Sequence, residues 1–321
     1  MLTNIRQRRR RGWSNKLARA KPEAPMTERG TDVDAMWDSL DRQLEQIPLE
    51  LEQERDAFYS QSEYDVYRLH YTGLDGYQLF SWLSVPLSAN GPVPALLRMP
   101  DYGSVHDIVY TPLRSSAVVM NPTHRGQRHS DSQFQAEYPG LLTEGIDRLQ
   151  TFVMMRVFAD ALRAVDVLLA QTSAQVGAVA LTGQGLGGTL SLFAAARRPR
   201  ITAVAADTPL ALGHPDVLDH ELAYPLDELN DYLRVYPHRS EAILASTAPL
   251  DPVAAAPKVQ VPVLLSLGSR DRGLCPLPIG EQLAARLPDC DVRVYDGGSE
   301  GGGHPHGVVR AAWLRERIGL V

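Results

Sequence analysis

The sequence predicts an α/β fold in which a mostly parallel β-sheet is covered by helices on both faces. Short apolar runs alternate along the chain with stretches of helical periodicity, which is typical of strands joined by crossover helices. These runs lack a strict alternation of polar and apolar residues, as expected for strands that are buried on both faces. The runs are ALLRMP, SAVVMNP, VGAVALTG, ITAVAAD, VPVLLSLG and DVRVYDG.

Other elements precede, separate and follow these strands. Two strand-like runs joined by Gly73-Leu74-Asp75-Gly76 predict an antiparallel hairpin ahead of the parallel strands. Apolar residues at helical spacing predict an opening helix and four later ones. The hairpin comprises residues 64–72 and 77–85, and the predicted helices cover residues 33–46, 152–169, 187–196, 280–287 and 308–318.

The sequence predicts a single domain with an N-terminal tail and an insertion. Residues 1–30 are rich in arginine and lack an apolar pattern, so we expect a disordered basic tail ahead of a single domain at 31–321. Clustered prolines and acidic residues at 211–248 predict a lid-like insertion over the carboxyl ends of the strands, where such sheets bind ligands.

Composition excludes several classes of function. The formal net charge of −6 over 321 residues gives no reason to expect a nucleic-acid partner. The two cysteines, Cys275 and Cys290, are too few for a disulfide scaffold or a structural metal site, which favours a cytoplasmic location. No apolar run approaches the ~18 residues of a membrane span, and the basic N-terminus lacks the apolar stretch of an export signal. We therefore expect no membrane partner, metal or cofactor.

The most informative motif is a glycine-rich turn between a predicted strand and a predicted helix. Residues Gly183-Gln184-Gly185-Leu186-Gly187 match the G-x-S-x-G nucleophile elbow of serine esterases at every position except the central one. Gly185 can adopt the strained turn but supplies no nucleophile. The alternative, a phosphate-binding loop, lacks the lysine and the glycine spacing of such motifs.

Two further residues occur in the chain order of a hydrolase triad. Asp271 follows the predicted strand VPVLLSLG, and His304 lies in a glycine-rich segment after the last predicted strand. Nucleophile position, acid and histidine in this order are typical of α/β-hydrolases. We therefore predict Asp271 and His304 as an acid–base pair, with His306 as the weaker alternative to His304.

Several segments resemble the cephalosporin-C deacetylase and acetyl xylan esterase family. The segment NPTHRGQRHSDSQF carries the family's Arg-Gly-Gln signature at Arg125, Gly126 and Gln127. The segments EGIDRLQTFVMMRVFADALRAVDVL and APLDPVAAAPKVQVPVLLSLGSRDRGLCP are similar to the family's helix and aspartate segment. The resemblance implies an α/β-hydrolase fold, with Arg125, Gly126 and Gln127 supporting the active site.

The resemblance also implies an oxyanion hole and reveals departures from the family pattern. Tyr102, in PDYG, matches a tyrosine whose backbone N–H contributes to the hole, and Leu186 would supply the second N–H. The family pattern G-x-S-Q-G has become Gly-Gln-Gly-Leu-Gly, so both serine and glutamine are replaced. Two changes favour natural loss of the nucleophile over a laboratory mutant. Members of the family are often hexameric, so a homo-oligomer is compatible with the resemblance.

Without a serine nucleophile, the predicted acid–base pair and oxyanion hole are suited to an elimination reaction. With Asp271 orienting it, His304 would remove a proton from an acidic C–H, while the oxyanion hole stabilises charge on a departing acetate. This is similar to the α/β-hydrolase-like enzymes of spirotetronate polyketide pathways, which eliminate acetate from an acetylated tetronate. We therefore predict a lyase acting on a small acetylated molecule. The alternatives are an acetyl-ester hydrolase using water activated by His304, a non-catalytic pseudo-esterase, and a nucleophile-disabled mutant.

Overall fold

The computed structural model describes residues 26–88, 90–103, 105–106, 108 and 111–320. The chain divides into two compact units, of which the first ends at Ser39 and the second begins at Leu40. The helix α1 covers Met26–Gln46 and therefore begins before the predicted residue 33. Most of the predicted basic tail lies outside the described residues, and its last five residues belong to α1. The predicted domain boundary after residue 30 stays a prediction.

Nine β-strands of the described chain form one sheet. Their order across the sheet is β1-β2-β3-β5-β4-β6-β7-β8-β9, in which β1, β2, β3 and β5 pair antiparallel and all later pairs are parallel. This confirms the predicted mostly parallel sheet with an N-terminal antiparallel hairpin. The strands are β1 (Glu52–Asp56), β2 (Tyr64–Thr72), β3 (Gln78–Pro86), β4 (Val93–Arg98), β5 (Val118–Pro122), β6 (Val176–Gln184), β7 (Ile201–Asp207), β8 (Val263–Gly268) and β9 (Cys290–Tyr295).

The strand β1 was not predicted from the sequence, for a physical reason. Its sequence EQERD is wholly polar and its side chains are exposed or half-buried at the sheet edge. By contrast, β8 is buried along its full length because helices cover the central strands. Leu96, Ala180 and Leu264 of the central strands belong to one buried apolar cluster, and burial of such side chains favours folding.

Seven helices follow α1 in the described residues. They are α2 (Val153–Ala170), α3 (Leu186–Arg197), α4 (Asp227–Val235), α5 (Ser240–Thr247), α6 (Pro252–Ala255), α7 (Leu277–Arg286) and α8 (Gly303–Arg317). Two differences from the predicted elements bear on the site. The predicted insertion holds the short helices α4 and α5 between β7 and β8, and α8 begins five residues earlier than expected. Within the described ranges, none of the helices combines the length and apolar character needed to cross a membrane.

A buried ion pair joins α2 to the loop after β5. Asp160 on α2 accepts hydrogen bonds from Arg125 Nη2 at 2.7 Å, Arg125 Nε at 2.9 Å and the Arg125 backbone N–H at 3.1 Å. Both side chains are at most 4% exposed. The Arg125 guanidinium also lies 4.5 Å from the centre of the Tyr77 ring. This pair therefore fixes the loop that carries Gly126 and Gln127.

We expect Asp160→Asn to lower the free energy of unfolding by about 3–5 kcal/mol, because it leaves a buried guanidinium without its counter-charge. The measurement is chemical denaturation followed by circular dichroism. The matched control is Asp291→Asn, which removes an exposed partner of Arg293 and should cost at most about 1 kcal/mol. Equal effects of the two substitutions would contradict a special role for the buried pair.

Candidate active site

The turn between β6 and α3 has the geometry of a nucleophile elbow but carries no side chain at its apex. Gly185 has φ 55° and ψ −121°, a conformation that is strained for a residue with a Cβ atom. Two backbone hydrogen bonds hold it, from Gly185 N–H to the Asp207 carbonyl and from Leu210 N–H to the Gly185 carbonyl, both 2.9 Å. The strand–turn–helix expected around Gly185 is thus formed, and its role as the position of a lost serine nucleophile stays a prediction.

The elbow lies directly against the loop that follows β4. A Cβ atom built on Gly187 would lie only 2.6 Å from the Met99 carbonyl oxygen, so a glycine is required for this close approach. The approach brings Asp101 and Tyr102, which follow β4, next to the start of α3. Residues from two separate segments therefore meet above Gly185.

Two backbone N–H groups converge on a single oxygen at this point. The N–H of Tyr102 donates to Asp101 Oδ1 at 2.7 Å, and the N–H of Leu186 donates to the same oxygen at 3.2 Å. Two donors aimed at one oxygen position are what an oxyanion hole requires. Tyr102 and Leu186 are the residues that the sequence assigned to this role, which stays a prediction. The carboxylate of Asp101 occupies the position between these two amides, and Asp101 was not among the residues predicted from the sequence.

The Asp101 carboxylate also fills the space that a side chain at position 185 would need. A Cβ atom built on Gly185 would collide with Asp101 Oδ1 and lie 3.1 Å from Leu274 Cδ2. Asp101 itself is half-buried. Burial raises the pKa of the Asp101 carboxyl, while the amides of Tyr102 and Leu186 and the charge of Arg98 act in the opposite direction.

The residues predicted to support the active site lie beside this loop. Gln127 Nε2 donates to the backbone carbonyls of Asp101 at 2.8 Å and Gly103 at 2.6 Å. Its Oε1 accepts from the His124 N–H at 3.1 Å, which fixes the orientation of the amide. Gln127 therefore holds the backbone on either side of Tyr102, and the buried pair of Arg125 holds Gln127 in turn.

The Tyr102 side chain links the site to the lid-like insertion. Its hydroxyl donates to Glu228 Oε1 on α4 and accepts from the Leu141 N–H at 3.0 Å. The other oxygen of Glu228 accepts from the Leu142 N–H at 3.1 Å. The Tyr224 ring packs edge-on against Tyr102, with ring centroids 5.6 Å apart. The insertion thus contacts the same loop that supplies the Tyr102 amide.

Asp271 lies after β8, as predicted, but its partner is a serine. Its carboxylate accepts from Ser299 Oγ at 2.6 Å and from three backbone N–H groups of the following turn, those of Gly273, Leu274 and Cys275. The Ser299 carbonyl in turn accepts from Gln184 Nε2 at 3.0 Å and Thr208 Oγ1 at 2.9 Å. Ser299 therefore lies beside the elbow at the position that a triad histidine would need.

The structure does not bring Asp271 and His304 together. Because α8 begins at Gly303, His304 lies in the first turn of a helix with an exposed side chain, and not in the loop expected from the sequence. In the described part of the chain, no hydrogen bond joins His304 to Asp271. His306 is buried, with Nε2 3.0 Å from Asp207 Oδ1 and Nδ1 3.0 Å from the Tyr295 hydroxyl. Neither His304 nor His306 is therefore the hydrogen-bond partner of Asp271.

One signal in the sequence could have identified Asp101. An acidic residue directly before the Tyr102 amide brings its own carboxylate within reach of the hole, and a glycine at 185 leaves room for it. Ser299 has no comparable signal, because the segment around it is rich in glycine and its position depends on where α8 begins. Among the described residues, no group of three or more His, Cys, Asp or Glu side chains could hold a metal ion.

The chain is similar to several known proteins. The acetyl esterase Axe7A of Xylanibacter ruminicola is 26% identical over 267 residues, which are 78% of this chain and 59% of that protein, so the chain spans about three fifths of its length. The acetyl xylan esterase from Paenibacillus sp. R4 superimposes with a TM-score of 0.77 at 22% identity, covering 91% of this chain and 99% of that one. Acetyl xylan esterase 1 from Thermoanaerobacterium sp. JW/SL YS485 gives the same TM-score and identity, with 91% and 98% covered.

These structures establish an α/β-hydrolase fold for the chain. The family model for acetyl xylan esterases matches residues 15–315, which includes the elbow, Asp271 and the loop of Tyr102. A match of this extent means that the chain belongs to the acetyl xylan esterase family.

Proposed function

We propose that this protein hydrolyses an acetyl ester of a small molecule with water as the nucleophile and without a covalent acyl-enzyme. The observation that carries the proposal is the convergence of the Tyr102 and Leu186 N–H groups on one oxygen above Gly185. Such a pair of donors stabilises the oxyanion that forms when a nucleophile adds to an ester carbonyl. Membership of the acetyl xylan esterase family supports an acetyl ester as the substrate.

We assign the nucleophile to water because none of the described hydroxyl groups near the elbow contacts the Tyr102 and Leu186 amides. Gly185 carries none, and the hydroxyls of Thr189 and Ser191 donate to backbone carbonyls within the fold. The Ser299 hydroxyl donates to Asp271, and no described contact brings it to the two amides. A directly attacking water needs only a nearby base and the two amide donors.

The family relation favours hydrolysis over the predicted elimination. The relatives named above are acetyl esterases, and hydrolysis was the alternative that the sequence left open. None of the comparisons supports a lyase or a role in spirotetronate biosynthesis. Acetate elimination from a tetronate-like precursor therefore remains a prediction from the sequence that has gained no support.

Solvent oxygen labelling distinguishes the two reactions. When the protein turns over a panel of O-acetylated sugars and acetylated alcohols in H₂¹⁸O, we expect one ¹⁸O atom in the released acetate and none in the alcohol. Water attack at the acetyl carbon places the solvent oxygen in the acid. Elimination would release acetate without solvent oxygen, together with an alkene. The ¹⁸O content of both products is measured by mass spectrometry, and reactions without protein correct for spontaneous hydrolysis.

Covalent labelling tests the absence of an acyl-enzyme. A serine-directed fluorophosphonate should leave the intact mass unchanged, because its usual target is replaced by Gly185. The single variant Gly185→Ser should also resist labelling, since no described histidine contacts Asp271 to activate the new hydroxyl. The triple variant Gly185→Ser, Asp101→Gly, Ser299→His supplies the missing groups and should gain one adduct. A stoichiometric adduct on the wild-type protein would contradict the proposal.

A further inference from the structure

The position of a serine nucleophile is occupied here by a carboxylate from another segment. Asp101 Oδ1 lies between the amides of Tyr102 and Leu186, where it would collide with a Cβ atom on residue 185. A side chain at position 185 and the Asp101 carboxylate in this place exclude one another. The position of the Asp101 carboxylate therefore depends on the glycine at 185. The group that lies between the two amides is a carboxylate.

The other candidate bases of the site are already engaged or lie elsewhere. The Asp271 carboxylate accepts four hydrogen bonds, one from Ser299 and three from backbone N–H groups. His306 is buried between Asp207 and the Tyr295 hydroxyl. By contrast, no donor among the described residues reaches Asp101 Oδ2, so this oxygen is free to accept a proton.

The surroundings of Asp101 suit proton transfer. Its backbone carbonyl is held by Gln127 at 2.8 Å, and Asp101 is half-buried, so it is partly accessible to water. Of the described titratable groups, Arg98 at the end of β4 and Tyr224 in the insertion act on it electrostatically. Burial raises the pKa of Asp101, and a carboxylate whose pKa lies nearer to neutrality is a stronger base.

We propose that Asp101 is the general base that activates water in this site. The inference rests on the proposed hydrolysis. The substrate carbonyl oxygen replaces Asp101 Oδ1 between the two amides, and the carboxylate turns toward a water molecule. Asp101 takes one proton from this water as its oxygen bonds to the acetyl carbon. The tetrahedral intermediate then breaks its bond to the alkoxide, which takes the proton back from Asp101. One ester and one water give one acid and one alcohol, and the carboxylate is regenerated.

The test compares Asp101 variants of the full chain on an acetyl ester that the wild type hydrolyses. Asp101→Asn preserves size and should lower kcat by about 10²–10⁴-fold, since the amide cannot accept the proton. The decrease in wild-type kcat/KM at acidic pH, which follows protonation of Asp101, should disappear from the residual activity. Asp101→Ala opens space for a small carboxylate, so added formate should restore activity in a concentration-dependent way. Formate should not restore Asp101→Asn, because its side chain fills that space.

Each other outcome counts against the inference. Higher activity in Asp101→Asn would mean that the carboxylate blocks the hole and has no catalytic role. If His304→Ala loses activity and Asp101→Asn keeps full activity, the general base is His304, the residue predicted from the sequence. Neither result would contradict the proposed hydrolysis of an acetyl ester. If the wild type hydrolyses no acetyl ester, the proposed function and the inference fail together. The control is Asp291→Asn, which removes a partly exposed partner of Arg293 on β9 and should leave kcat unchanged.

Discussion

The two hydrogen bonds from the amides of Tyr102 and Leu186 to Asp101 Oδ1 are the interaction around which the site is organised. Each amide comes from a different parallel strand connection, so the bonds form only when the ends of β4 and β6 are correctly placed. The buried pair of Arg125 and Asp160 and the amide of Gln127 fix one side of this arrangement. The elbow hydrogen bonds of Gly185 fix the other side.

The structure places a carboxylate from another segment where a side chain at position 185 would lie, and the proposal of a water nucleophile rests on this arrangement. A serine at position 185 would need the space that the Asp101 carboxylate occupies, and a histidine beside Asp271 would need the place of Ser299. The anion-binding amides are retained in both arrangements, because they depend on backbone geometry and not on side chains. Stabilisation of negative charge on oxygen can therefore survive while the group that starts the reaction changes.

Local patterns in the sequence were enough to predict the sheet, the elbow and the position of Asp271. Apolar runs, glycine spacing and strand–turn–helix order each depend on neighbouring residues, which the sequence shows directly. The contact between Asp101 and the elbow depends on packing between distant segments, and its signs in the sequence are the acidic residue before Tyr102 and the glycine at position 185. The pairing of Asp271 with Ser299 was missed because α8 begins within a glycine-rich run, which gives little sign of where a helix starts. The strand β1 was missed because it is polar.

The most direct test of the account follows the two amides themselves by ¹H–¹⁵N NMR as the pH is varied. If Asp101 occupies the hole, the Tyr102 and Leu186 amide protons should shift together, downfield as the carboxylate ionises. Their shared midpoint should lie above the ordinary aspartate pKa of about 3.9, since burial raises the pKa of Asp101. Both titrations should vanish in Asp101→Asn. Amides that do not titrate, or that titrate with different midpoints, would show that the carboxylate does not occupy the hole.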